Sequence, residues 1–105
     1  MNTRKADYNT FYMIGNLLQL ADCLGLQTRF APLVDNDGRI KGNRVAIREG
    51  MNEKQTAFIL AHEIAHAALH YDKGNIIGLP EYEEQADRTA NLLLKALSIR
   101  GTQYV

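Results

Sequence analysis

Apolar side chains recur at three- and four-residue steps over Phe11, Ile14, Leu17, Leu18, Ala21 and Leu24, one stripe along a helix from about Tyr8 to Leu24. Gly25 follows at the position where a left-handed residue ends helices. The period then changes. Leu26, Thr28 and Phe30 alternate with Gln27 and Arg29, which predicts a short half-buried strand that Pro32 ends or confines to a sheet edge. Asp35-Asn36-Asp37-Gly38 is a dense turn signal. Ile40, Val45 and Ile47 are the apolar members of a second extended region from Arg39 to Glu49, and Gly42-Asn43 interrupts it, so a hairpin or a three-stranded meander is expected.

A helical pattern returns at Asn52, whose side chain and Gln55 three residues later have the form of a capping box. Strong helix formers continue to Tyr71, with Gly74 as a stop, and Ala57 to Leu69 is apolar on both faces. That helix belongs at the buried centre. A third helix opens at Pro80 or Glu81, with Glu81, Glu83 and Glu84 where the helix dipole favours negative charge, and runs to about Ile99 or Arg100 ahead of Gly101. The expected fold is α+β: a small, mainly antiparallel sheet packed on a central helix, with two further helices. The strand holding Val45 and Ile47 is expected at the edge of a cleft.

Length and composition narrow the class. A chain of 105 residues, 46% hydrophobic and 23% charged, reads as one globular domain over residues 1–105. Twelve basic and twelve acidic residues cancel, which disfavours a dominant nucleic-acid role. No apolar run reaches the roughly 18 residues of a membrane span, and no signal-like apolar segment follows the first basic residues. The single cysteine, Cys23, forms no internal disulfide and reads as a small half-buried residue; the expected location is the cytoplasm.

The chemistry gathers in His62-Glu63-Ile64-Ala65-His66. Histidines four apart share one helical face, so their imidazoles can converge on one ion, and two bare imidazoles in so apolar a helix are costly without a partner. Nitrogen ligands suit zinc, and Glu63 can take a proton from an attacking water. A third ligand is needed. Glu84, Arg88, Asn91 and Lys95 form a polar, solvent-facing stripe of the third helix, whereas Glu83 shares its face with Asp87, Ala90, Leu94 and Leu97, which must pack inward. Of the candidates Glu81, Glu83 and Glu84, Glu83 is therefore the expected third ligand, and Asp87, one turn on, can accept the second ring N–H of a liganding histidine.

These residues, with Ala86-Asp87-Arg88-Thr89-Ala90 and Leu93-Leu94 downstream and Arg44-Val45-Ala46-Ile47 upstream, resemble the ImmA/IrrE metallopeptidases over roughly residues 10–97. The resemblance implies a gluzincin-type zinc endopeptidase with His62, His66 and Glu83 as ligands and Glu63 as general base. Its implied substrate is a protein, a helix-turn-helix repressor of a phage or mobile element. The chain departs from the family at Gln85, often Glu, at Thr89, often Phe, and at Lys95-Ala96, usually Met-Pro, so the third helix can run on unbroken.

The oxyanion donor stays open. His70 is a donor, a spare ligand or a polar residue at a fraying helix end; Tyr71 and Tyr82 are further donors. An extended substrate could add to the sheet edge as a strand. The alternative to catalysis is a protein that sequesters a repressor or another partner without cutting it.

Overall fold

Gly25 sets the end of the first helix. In the computed structural model, which describes the backbone of residues 2–70 and 79–103 and the side chains of residues 12–69 and 79–98, helix α1 spans Asn2–Cys23. Gly25 adopts φ +80°. The Leu26 N–H donates to the Ala21 carbonyl at 2.9 Å and the Gly25 N–H to the Asp22 carbonyl at 3.0 Å, the paired bonds of a Schellman cap. Leu17 and Ala21 are sealed in the core, and Ile14 and Leu18 pack against it. Leu24, beyond the helix end, is exposed. Cys23 is exposed too, contrary to the half-buried expectation. The helix begins at Asn2 rather than near Tyr8, in a polar stretch with no apolar period to mark it.

Three short strands follow: β1 (Gln27–Ala31), β2 (Gly38–Lys41) and β3 (Arg44–Arg48). β1 ends just before Pro32, whose missing N–H and fixed φ stop the ladder. The sheet order is β1-β3-β2, with β1 parallel and β2 antiparallel to β3. The sheet is therefore mixed, where a mainly antiparallel one was expected. The chain leaves β1, passes the central position, forms the far edge as β2, and turns back at Gly42-Asn43 to place β3 in the middle. Gly42 takes φ +61° and Asn43 a negative φ, the signs of a type II′ turn. β3 carries Val45 and Ile47, 1% and 0% exposed, and so takes the centre. The cleft-edge place expected for that strand belongs to β2. Alternation along a strand is the same beside a parallel or an antiparallel neighbour, so the pattern could not tell them apart.

Helix α2 (Glu53–His70) is capped by Asn52, whose side-chain oxygen accepts the Gln55 N–H at 2.8 Å. It packs against α1, β2 and β3 and against helix α3 (Pro80–Gln103). Leu60 and Ile64 are fully buried in it, each worth roughly 1.5–3 kcal/mol relative to exposure. Pro80 opens α3, and the Leu79 carbonyl accepts the N–H groups of Tyr82 and Glu83, both at 3.0 Å. α3 runs unbroken past Lys95-Ala96, as their departure from the family pattern implies, and also through Gly101, which was expected to stop it. Ala61 and Ala65 on α2 and Ala86 and Ala90 on α3 are all fully buried. Small side chains at a helix contact let the axes approach closely. The fold is α+β, three helices and a small sheet. Among the described residues no helix is long and apolar enough to cross a membrane.

Candidate metal centre

The α2–α3 contact brings three electron-rich atoms to one point. His62 and His66, one turn apart on α2, lie with their Nε2 atoms 3.0 Å apart. Glu83, on the first turn of α3, places Oε1 3.3 Å from His62 Nε2 and Oε2 2.8 Å from His66 Nε2. One ligand atom from each of the three residues lies within 4.8 Å of the others. Around a tetrahedral ion with ligands at 2.0–2.1 Å, such atoms would stand about 3.3 Å apart. The observed separations, 2.8–3.3 Å with the two Glu83 oxygens each facing one histidine, come within about half an ångström of that. Glu83 Oε2 is buried with no aligned hydrogen-bond partner despite its 2.8 Å approach to His66, as expected where lone pairs converge on a cation instead of on each other's hydrogens. The donor set therefore fits a divalent metal.

Asp87 stands behind His62. Its Oδ1 lies 2.8 Å from His62 Nδ1, although the ring is turned away from a linear N–H···O line. A carboxylate there favours the Nδ1–H tautomer and leaves the Nε2 lone pair free to bind metal. The inward face predicted for α3 is more open than expected at this end: the Glu83 and Asp87 side chains are 39% and 54% exposed. Ala86 and Ala90 between and after them are the residues that pack inward. The outward stripe is as expected, with Arg88 paired to Glu84 at 2.8 Å in solvent.

Glu63 is buried, and its Oε2 has no hydrogen-bond partner among the described residues. Burial pushes its carboxyl up from an ordinary 4.5 to about 7; His62 opposes that rise and the neighbouring charge of Glu83 adds to it. A carboxyl poised near neutral pH suits proton transfer. The cleft that exposes the site runs between α2 and the sheet, lined by Gly38, Ile40, Ile59, His62, Glu63 and His66, with Glu83 on the α3 side.

Gly38, which the sequence marks only as the end of a turn, lies at the site. A Cβ built there would lie 2.6 Å from Ile59 Cγ2 and 3.1 Å from Glu63 Cγ. Only a glycine lets β2 pass this close over Glu63. Its signal in the sequence, one glycine in a turn cluster, is shared by many glycines with no such neighbour. Tyr82 is half-buried on the first turn of α3 and is not among the described residues that line the cleft. The His70 side chain and Tyr71 lie outside the described residues.

A small α+β fold whose central helix and following helix converge two histidines and a glutamate offers the donor set of a divalent-metal site. The chain matches the peptidase M78 family, described as the IrrE N-terminal-like domain, over residues 21–101, and belongs to that family of metal-dependent peptidases. The match starts later than the resemblance read from residue 10 and takes in all three strands, α2 and most of α3. Neither the curated proteins nor the solved structures gave a match.

Proposed function

We propose that the protein is a zinc-dependent endopeptidase, a single catalytic domain acting in the cytoplasm on a protein substrate of the helix-turn-helix repressor class. The observation that carries this reading is the convergence of His62, His66 and Glu83 beside the buried carboxyl of Glu63 in one open cleft. In this reading His62, His66 and Glu83 hold the ion. Bound zinc acidifies water to a pKa near 7 and polarises a carbonyl, which brings amide hydrolysis within reach at neutral pH.

The chain's own residues do the rest. Glu63 accepts the attacking water's proton on its carboxylate and returns it to the leaving amine nitrogen. Asp87 holds His62 in the tautomer that leaves Nε2 free. β2 is the edge strand beside the site. Its turn makes Lys41 and Arg44 a hydrogen-bonded pair, so Arg39 pairs inward with Ala46, and the N–H and C=O groups of Gly38 and Ile40 face the open side. An extended substrate added there as a strand runs past Glu63. The single exposed cysteine supports a reducing location.

The test is metal content of the purified protein beside Glu83→Ala. About one zinc per chain, lost or much weakened in the variant, supports the site. No metal in either after zinc is added back moves the reading to a protein that binds its partner without cutting it.

A further inference from the structure

The outer face of the sheet is predominantly cationic. Val45 and Ile47 are buried in the core, so Arg44, Ala46 and Arg48 point to the opposite face of β3. The register sets Arg29 and Arg39 on either side of Ala46, and Gln27 and Lys41 on either side of Arg44. Arg29, Arg39, Lys41 and Arg44 are all exposed, and none has an ion-pair partner among the described residues. Only Arg48 is paired, to Asp37 at 3.3 Å. No acidic residue occurs within the three strands. Lys41 lies directly opposite Arg44 in the ladder. Like charges so placed destabilise a sheet. They call for an anionic occupant.

The cleft continues over the β2 edge onto the outer face, so that all four cations line it together with His62, Glu63, His66 and Glu83. Side chains of a strand added to β2 beside Arg39 and Lys41 share their outward face, and those beside Gly38 and Ile40 turn toward α2. The geometry points to a substrate preference: the cleft takes extended peptide segments with acidic side chains at alternate positions, read by Arg39 and Lys41 with Arg29 and Arg44 behind them. This rests on strand addition to β2 as proposed above. A nucleic-acid backbone fits the same face less well. The described lining holds no Phe, Tyr or Trp ring for base stacking, and the acidic Asp37, Glu63 and Glu83 stand within it.

The experiment uses the full chain carrying Glu63→Gln, loaded with zinc, so that bound peptide is not cut. Three fluorescein-labelled peptides of identical length carry Glu, Gln or Lys at every second position, with Val, Thr and Ser between. Fluorescence anisotropy at low and high salt reads their affinities. The Glu peptide is expected to bind about ten-fold tighter than the Gln peptide and tighter still than the Lys peptide, with the advantage shrinking as salt rises. Arg39→Gln with Lys41→Gln removes the advantage, and Arg29→Gln with Arg44→Gln reduces it; all four positions are exposed, and circular dichroism checks the fold of each variant. Equal affinity for the Glu and Gln peptides, an advantage that survives the Arg39 and Lys41 changes, or no binding of any peptide overturns the preference. So does a short DNA duplex that binds more tightly than the Glu peptide. Failure of the peptidase reading looks different: zinc-loaded protein with Glu63 intact leaves the Glu peptide whole although the Glu63→Gln form binds it.

Discussion

Glu63 is the residue on which most turns. Among the described residues it is the one carboxyl side chain buried in the core, and none of them hydrogen-bonds its Oε2. Replacing it with Gln keeps shape and removes the proton acceptor. Glu63→Gln is expected to retain zinc and to lose roughly 10²–10⁴-fold in turnover, read by metal analysis and peptide cleavage side by side. A variant that still cuts at the original rate removes Glu63 from the proposed role. The pH dependence of stability follows from the same burial. With a folded value of about 7 above an ordinary 4.5, Glu63 contributes stability that is fully present below pH 4.5 and lost as pH rises through 7. Gln carries no charge at any pH. In metal-free protein Glu63→Gln should therefore gain on the original between pH 5 and pH 8, by on the order of 2 kcal/mol in urea unfolding. Added zinc should narrow that gap, because a nearby dication favours the carboxylate. Asp87 acts one atom further out. Asp87→Asn is expected to weaken zinc binding about 10–100-fold with the fold intact, measured by competition with a chelating dye.

At the scale of elements, the site depends on how closely α2 meets α3 and how closely β2 crosses α2. Ala86→Leu places a branched side chain where there is no exposure at all. It should cost about 1–3 kcal/mol by overpacking and lower zinc affinity by pushing Glu83 from the histidines; thermal melts and zinc titration of the variant test both. Gly38→Ala tests the other crossing. The added methyl meets Ile59 and Glu63, so cleavage should fall by more than zinc affinity does, since the ligands sit on other elements. How much of this was legible differs by element. Gly25 and Asn52 act through local backbone geometry, and their roles as helix stop and cap could be read directly. Two histidines one turn apart need only a helix to converge, and the inward stripe of α3 singled out Glu83. The strand order could not be read, because Val45 and Ile47 alternate identically whichever neighbours they have. Gly38 and the cations around Ala46 acquire meaning only through register, which brings together residues far apart in the chain.

Considered as one molecule, the protein has a modest core divided among three helices and a three-stranded sheet, and its proposed metal ligands lie on two helices. An ion bound only by the folded form stabilises it by about 2.7 kcal/mol at a hundred times its dissociation constant. For a domain near 100 residues each kcal/mol is worth roughly 4–8 °C. Removing zinc with a chelator should therefore lower the melting temperature by on the order of 10 °C or more, and adding it back should restore the original value. An unchanged melt would mean that α2 and α3 are held together without the ion. The placement of Glu83 on the helix after the two histidines has a consequence for how the protein is made. A ribosome adds about 5–20 residues per second, so His62, Glu63 and His66 are synthesised on the order of a second before Glu83. Through that interval the growing chain holds a base and two of the three donors but no closed site, and α3 must still leave the exit tunnel and dock. On the proposed ligand set, cutting power would arrive only with completed tertiary structure.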